Sequence, residues 1–183
     1  MEKKEAFTQG LADILVKNKV VANDEAVSMQ EMFKDSTKEA FDDFLLEEGL
    51  VEASDLLRAL SEYYQVPSFD VVGYFFDHNL LTKFPKGFLL RSGLIPLEVD
   101  QNMLIVVANI PDESGLESEI RDYVSYDVNF MVGLNRDICD AVKEFYDLAP
   151  SEVDDDVDLR EERQMGHDVE DEIESLTKSK LLD

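Results

Sequence analysis

The amino-acid sequence predicts an α+β fold: an N-terminal helical lobe of tandem hairpins, then a small mixed sheet of about three strands packed with helices, then an acidic tail. Three observations support this prediction. Residues 6–66 place apolar side chains at helical spacings of three and four. Residues 92–133 alternate short β-like runs with a helical segment. Residues 151–183 hold 13 acidic and 4 basic residues, which is typical of a disordered or partly helical segment. The predicted boundaries are 1–66, 67–148 and 149–183.

Four helices are expected in the helical lobe. The first carries Phe7, Leu11, Ile14 and Leu15 on one face. Asn23 and Ser54 are predicted N-caps, because their side-chain oxygens can accept the free backbone amides of a first helical turn. The other three helices are predicted over 24–33, 37–48 and 54–64.

An offset of 30 residues superposes two segments of this lobe, 11–33 and 41–63. The offset aligns apolar residues with apolar residues, which indicates a tandem repeat. The alternative is that any two amphipathic hairpins of equal length align in this way. The aligned apolar pairs are Leu11 with Phe41, Ile14 with Phe44, Leu15 with Leu45, Val16 with Leu46, Val20 with Leu50, and Val21 with Val51.

The second lobe begins with short helical pieces and turns. Two β-like runs over 92–99 and 102–109 lie close enough in sequence to predict an antiparallel hairpin joined at Asp100 and Gln101. A helix packed on the sheet should follow, with Leu116, Ile120 and Val124 as its inner face. A third strand over 126–133 and a final helix over 136–148 complete the prediction.

Charge and composition exclude several classes of protein. The formal net charge of -25 repels nucleic acids and anionic membrane surfaces, so neither is an expected partner. The start of the chain lacks the apolar core of a secretory signal, and nowhere do 18 apolar residues run together. The expectation is a cytoplasmic protein without membrane insertion. Cys139 is the only cysteine and is predicted to be a small buried core residue.

Motifs of the common enzyme and metal-site classes are missing from the sequence. It contains no GxxxxGK[ST] phosphate loop, no GxGxxG dinucleotide fingerprint and no GxSxG nucleophile elbow. His78 and His167 belong to no metal-binding cluster, and DDDVD at 154–158 lacks the glycine and glutamate of a calcium loop. The prediction is therefore a protein that is not an enzyme and has no cofactor or metal. An enzyme of unrecognised type is kept as a third hypothesis.

The acidic tail contains one amphipathic segment. Val169, Ile173 and Leu176 stand at helical spacing, so a short helix can form on meeting a partner or the tail's own domain.

The repeat and the β-hairpin region together resemble the N-terminal domain of type II secretion and type IV pilus assembly ATPases. MshEN-like members of that family carry a tandem motif, RLGxxLVxxGxIxxxxLxxALxxQ. The second segment follows its apolar skeleton, and the first follows it more loosely. Further on, VPSFDV and LIPLEVDQNMLIVVANIPDE resemble two later family elements. The resemblance covers about residues 7–147. The matching residues of the second segment are Phe41, Leu45, Leu46, Gly49, Val51, Leu56, Ala59 and Leu60.

The resemblance implies a protein-interaction or regulatory module. In secretion ATPases this domain docks on the cytoplasmic part of an inner-membrane platform protein, and in MshEN-like members the paired motifs bind cyclic di-GMP. The chain shows no ATPase motor, so it resembles a free-standing copy of the domain. The expected partner is thus a platform protein or a motor of a secretion or pilus machine. The alternative is a sensor of cyclic di-GMP or a related nucleotide with a degenerate motif.

The polar positions of the family motif are all changed. Where the motif has Arg, Gly and Gln, the second copy has Ala40, Asp42 and Tyr63. Asp42 is the most damaging change, because a carboxylate stands where backbone should approach a phosphate. The first copy has Gly10, Ala12 and Phe33 at these positions.

Under the nucleotide alternative, the candidate ligand-binding residues are Leu45, Gly49, Val51, Leu56 and Arg58. Lys38 and Arg58 can partly replace the lost motif arginines, although neither occupies a motif position. Gly49 also has a purely structural interpretation, as the left-handed residue that ends a helix. Lys19 stands at the equivalent position of the first copy, so the turn there should be strained or different.

Overall fold

Four helices form the N-terminal part of the chain in a computed structural model that describes residues 1–148. The predicted number of helices is confirmed. The tail over 149–183, with its predicted helix at Val169–Leu176 and with His167, lies outside the described residues. The four helices are α1 (Glu2–Lys17), α2 (Asn23–Asp35), α3 (Phe41–Glu47) and α4 (Ala53–Tyr64).

The third helix is shorter than predicted, beginning at Phe41 and not at Thr37. Ser36 is extended at the end of α2, and its hydroxyl donates to the Phe33 carbonyl at 2.7 Å. The same hydroxyl accepts from the Lys38 backbone amide at 3.3 Å. These local bonds give the backbone an alternative to helix, which is why residues 37–40 connect α2 and α3 without extending either.

The two predicted N-caps are wrong. Helix α2 begins after Ala22, whose backbone N–H donates to the Glu25 carboxylate at 2.8 Å, so Asn23 lies inside the first turn. Helix α4 begins after Glu52, which makes no side-chain cap bond, and Ser54 lies inside that helix. At the start of α2, the side chain that bonds a free backbone amide is therefore that of Glu25 and not that of Asn23.

Both hairpins turn in the same way, 30 residues apart. Lys19 and Gly49 adopt left-handed φ angles of 59° and 65°. In each hairpin the left-handed residue donates three residues back, and the next residue donates five back. These bonds are Lys19 to Val16 at 3.0 Å, Val20 to Leu15 at 2.9 Å, Gly49 to Leu46 at 3.2 Å and Leu50 to Leu45 at 2.9 Å.

This arrangement is a Schellman turn, which closes the last carbonyls of a helix. Unrelated amphipathic hairpins of equal length need not share it at the same register, so the backbone geometry favours the tandem repeat over a chance alignment. The first turn keeps the geometry and accepts a non-glycine residue in the left-handed region.

The second part of the chain contains a three-stranded sheet in the order β1–β2–β3. Strand β1 (Leu94–Asp100) pairs antiparallel with β2 (Met103–Ala108), and β2 pairs parallel with β3 (Asp127–Val132). The predicted mixed sheet is confirmed. The hairpin turns at Gln101 and Asn102, one residue later than expected, with Gln101 left-handed at a φ of 55°. Four helices surround the sheet: α5 (His78–Leu81), α6 (Lys86–Ser92), α7 (Leu116–Arg121) and α8 (Asn135–Leu148).

The crossover between β2 and β3 contains α7, whose predicted inner face is confirmed. Leu116, Ile120 and Val124 are all buried. A parallel pair of strands needs such a crossover, because its second strand must start again at the same edge as the first.

The hydrophobic core of α1–α4 extends to the end of β3. Val132 at the end of β3 and Leu134 after it pack in the same cluster as the buried side chains of α1–α4, including Leu11, Leu45 and Leu60. Residues Met1–Phe145 form a single compact unit. The division at residue 66 stays a prediction. Among the described helices, none is both long and apolar enough to cross a lipid bilayer.

The two turns make a testable pair. We expect Lys19→Gly to stabilise the protein by about 0.5–1 kcal/mol, and Gly49→Ala to destabilise it by about 1–2 kcal/mol, because only glycine is free of side-chain strain in this conformation. Urea unfolding measures both changes. Gly87→Ala is a matched control, since Gly87 is exposed in α6 and does not have a left-handed φ. A destabilising Lys19→Gly would contradict the shared turn.

Candidate functional site

A cavity of about 370 Å³ is formed by the start of α1, the start of α3, the end of α4 and the segment after β2. The three changed motif positions of the second copy, Ala40, Asp42 and Tyr63, all line it. We therefore call it the motif cavity. The other lining residues are Met1, Lys3, Lys4, Phe7, Glu39, Phe41, Tyr64, Asn109, Ile110, Asp112 and Glu113.

Three aromatic rings form one wall of the motif cavity. Phe7 of α1 lies edge-on to Tyr63 of α4, with ring centroids 5.0 Å apart. Tyr63 lies edge-on to Tyr64 at 5.0 Å, and Phe7 stacks with Tyr64 at 6.1 Å. Such packing holds the rings in place, and aromatic faces attract cations.

The Tyr63 ring also occupies the space beside Gly10, the first motif position of the other copy. A Cβ atom built on Gly10 would lie 2.8 Å from a carbon of that ring. The two copies therefore meet at their polar positions, as expected for a paired motif. Here the meeting point is filled by an aromatic ring and a bare backbone, and an arginine at position 10 would have to displace Tyr63.

Asp42 is the buried charged residue of the site, with 8% of its surface exposed. Burial, and after it the charge of the neighbouring Asp43, raise the pKa of its carboxyl to about 6, although backbone N–H groups of the two residues act in the opposite direction. Within residues 1–148 no cationic side chain pairs with Asp42. The Asp42 carboxyl therefore lines the cavity and ionises less readily than an exposed aspartate.

The neighbours of Asp42 do not neutralise it. The Asp43 carboxylate accepts a hydrogen bond from the Asn135 amide at 3.3 Å, while burial raises its pKa. Burial, followed by the charge of Asp42, raises the pKa of the Tyr64 hydroxyl. The two lysines that line the cavity have partners other than Asp42. Lys3 lies 3.9 Å from the Glu113 carboxylate, and the Lys4 ammonium lies 5.1 Å from the centre of the Phe33 ring.

The five residues predicted to bind a nucleotide do not meet in one cavity. Leu45, Val51 and Leu56 lie in the hydrophobic core of the helical part, where they hold the hairpins together. Gly49 and Arg58 are exposed, and neither lines the motif cavity. Ligand binding by these five residues stays a prediction.

The cations expected to replace the motif arginines also lie outside the motif cavity. Lys38 forms an ion pair with Glu47 at the surface. Arg58 lies 3.9 Å from Asp55, in a separate cleft of about 600 Å³ that also contains Arg136. Arg136 in turn donates to Asp137 at 2.9 Å. Both guanidinium groups of this cleft therefore already have a carboxylate neighbour.

Other candidate groups are surface features. Cys139 is half-buried, not part of the core as predicted, because it lies on the flank of α8 next to the buried Ile138. Burial raises the pKa of its thiol, which opposes formation of a thiolate. His78 is exposed, as predicted. Over residues 1–148 no three His, Cys, Asp or Glu side chains are grouped closely enough to hold a metal ion.

Sequence reasoning missed the part of the cavity that other segments supply. Lys3, Lys4 and Phe7 come from the start of α1, and Asn109–Glu113 come from the segment after β2. Of these residues, Phe7 alone had a sequence signal, because it belongs to the predicted apolar face of the first helix. The contribution of residues 109–113 depends on how the sheet packs on the helices, which no local pattern encodes.

The pKa of Asp42 predicts a dependence of stability on pH. A carboxyl with a raised pKa binds its proton more tightly in the folded state, so the free energy of unfolding falls as pH rises from 3.8 to about 6. We expect Asp42→Asn to stabilise the protein by up to about 3 kcal/mol near pH 7.5 and to have little effect near pH 3.5. Urea unfolding at both pH values measures this. The exposed Asp140→Asn on α8 is the control, and an equal effect of Asp42→Asn at both pH values would contradict the assignment.

Comparison with known proteins agrees with this geometry. A family model described as the MshEN domain matches residues 76–152. A solved structure of MshE with cdg matches with a TM-score of 0.60 and 18% identity, covering 74% of this chain and 98% of that one. The N-terminal domain of XpsE matches with a TM-score of 0.55 and 16% identity, covering 74% and 92%. No curated protein matches.

The structural matches establish the shared fold, and the family model places the sequence similarity in the α/β part of the chain. Together they confirm the resemblance that the sequence predicts: the chain is similar to the MshEN-type N-terminal domains of type II secretion and type IV pilus ATPases.

Proposed function

We propose that this chain is a cytoplasmic, non-enzymatic protein-interaction and regulatory module that docks as the N-terminal domains of secretion and pilus ATPases do. Its partner is the inner-membrane platform protein or the motor of such a machine. The observation that supports this function is the motif cavity, in which Ala40, Asp42 and Tyr63 stand where the family motif has Arg, Gly and Gln.

The chemistry of the cavity favours a protein over an anionic nucleotide. Cyclic di-GMP carries two phosphate charges and needs hydrogen-bond donors for its guanines. The cavity presents to it a buried carboxyl and aromatic rings. Two like charges 4 Å apart repel by about 1 kcal/mol in water and by several kcal/mol at a partly buried site. The net charge of -25 adds a long-range repulsion of the same sign.

A second candidate function is a sensor of cyclic di-GMP or a related nucleotide. Two observations favour it: the fold is shared with MshE, whose solved structure contains cdg, and the motif positions of the second copy converge on one cavity. In this alternative the lysines at the cavity rim, Lys3 and Lys4, supply the positive charge that the motif arginines supply in the family.

A non-enzymatic role is supported by the part of the family that the chain resembles. The structural matches are to N-terminal domains, and the sequence has no phosphate-binding loop. Pairs of carboxylates are abundant, but the buried member of the motif cavity, Asp42, has no histidine, cysteine or serine beside it in the cavity lining.

The docking role is tested with the full chain and the purified cytoplasmic part of the platform protein from the same organism. We expect saturable binding by biolayer interferometry that weakens as salt rises from about 50 to about 500 mM, because exposed charges are screened over roughly a Debye length. The purified motor is measured in parallel. Absence of binding to both proteins at low salt would contradict the docking role.

The nucleotide alternative is tested by thermal unfolding with cyclic di-GMP at about 1 mM. A ligand at 100 times its dissociation constant stabilises a protein by about 2.7 kcal/mol, which is easily seen as a raised melting temperature. We expect no shift. GTP at the same concentration controls for general effects of anions, and a saturable shift with cyclic di-GMP alone would replace the docking role by the sensor role.

A further inference from the structure

The charges lining the motif cavity do not balance. Its lining contains four carboxylates, against two lysines and the α-ammonium group of Met1. Lys3 is directed to Glu113, and Lys4 lies over Phe33, so neither faces Asp42 as an ion-pair partner. Within the described residues, Asp42 is therefore buried without a counter-cation. The four carboxylates belong to Glu39, Asp42, Asp112 and Glu113.

A buried carboxyl without a cation is costly for the folded protein unless a partner supplies the missing charge. The walls beside it show which cation fits. Phe7, Tyr63 and Tyr64 pack against one another, and all three line the cavity. A guanidinium group is planar, stacks on aromatic faces and forms paired hydrogen bonds with a carboxylate.

The size of the cavity agrees with a side chain as occupant. Its volume of about 370 Å³ is near the lower end of ligand pockets, which is enough for one long side chain with its flanking backbone. Ala40, where the family motif has arginine, contributes only a methyl group to the lining. Asp112 of the same lining adds attraction for a basic segment.

We propose that the motif cavity binds an arginine side chain of the protein partner, with the guanidinium group paired to Asp42 and stacked on the aromatic wall. This inference rests on the proposed docking function and names the chemistry of the contact. Where the family motif has an arginine of the domain itself, this chain has Ala40. In the proposed complex the arginine comes from the partner. A lysine side chain can pair with Asp42, but it cannot match the planar fork geometry, so it binds more weakly.

Binding of a cation at this place depends on pH. The titratable and charged groups around Asp42 are Asp43 on its own helix, Tyr63 and Tyr64 on α4, the α-ammonium of Met1 with Lys3 and Lys4 at the start of α1, Glu39 before α3, and Asp112 and Glu113 after β2. Burial raises the pKa of the Asp42 carboxyl to about 6. Because arginine pairs with the charged carboxylate, affinity should fall as pH drops below that value.

The test uses the full chain and N-acetyl-argininamide, with N-acetyl-norleucinamide as a neutral probe of similar length. Chemical shifts of the backbone amides are followed by NMR near pH 7.5. We expect the arginine probe to give saturable shifts confined to residues 40–43, 63–64 and 109–113, and the neutral probe to bind roughly tenfold more weakly. Near pH 4.5, the affinity of the protein for the arginine probe should also be roughly tenfold lower.

Two variants make the assignment specific. Asp42→Asn should weaken the arginine probe about tenfold or more, and Tyr63→Leu about threefold to tenfold. Asp140→Asn, an exposed carboxylate on α8, should leave affinity unchanged. The proposal is overturned by equal affinity in the Asp42→Asn variant, by shifts spread over the acidic surface, or by no saturable binding of the arginine probe.

Failure of this inference can be separated from failure of the docking role. The platform protein and the motor are measured against the same variants by biolayer interferometry. Binding that survives Asp42→Asn unchanged, together with no arginine binding, would place the docking contact on another surface. Loss of binding in Asp42→Asn alone, with the Asp140→Asn control intact, is the result that we expect.

Discussion

The structure depends on the hydrophobic core of the two helical hairpins, which extends to the end of the parallel strand β3. Leu11, Leu45 and Leu60 are fully buried from the helical side, and Val132 joins them from the sheet. Each fully buried aliphatic side chain contributes about 1.5–3 kcal/mol relative to exposure. This packing fixes the angle between the hairpins and the sheet. It therefore also brings the start of α1, the start of α3 and residues 109–113 around one cavity.

That core also explains why the position of Asp42 is informative. Its counterpart in the first copy, 30 residues earlier, is Ala12, which is also buried. Burial of the alanine side chain carries no desolvation penalty. Burial of a carboxyl does, because the charged form loses hydration and the neutral form is favoured. A buried carboxyl without a cation is an unfavourable choice for stability alone. This cost is consistent with the proposed binding of a basic partner, which would supply the missing positive charge.

Much of the fold was predictable because its signals are local. Apolar spacing predicted four helices, the hairpin and the inner face of the crossover helix around Ile120. The 30-residue offset predicted that Lys19 and Gly49 are equivalent, and the structure places both in the same left-handed turn. The errors were also local: the Ser36 hydroxyl shortened the third helix, and Glu25 replaced the expected Asn23 cap.

The candidate site was only half predictable. The changed motif positions were visible in the sequence, since comparison with the family motif selects Ala40, Asp42 and Tyr63 directly. Their convergence with Phe7 and Asn109 was not visible, because it depends on contacts between segments far apart in the chain. For the same reason, Lys38 and Arg58 were plausible substitutes for the lost arginines by sequence position, yet the fold directs both to other carboxylates.

Within residues 1–148, Asp42 is a buried carboxyl with no cationic side chain paired to it. The most direct measurement is the ¹³C chemical shift of its side-chain carboxyl, followed across pH in protein labelled at aspartate and assigned with Asp42→Asn. The account predicts a midpoint at about 6, well above the ordinary value of 3.8. It also predicts a lower midpoint when a guanidinium compound is added. A midpoint at or below 3.8 in the free protein would mean that the carboxylate is already solvated or paired, which would contradict the account.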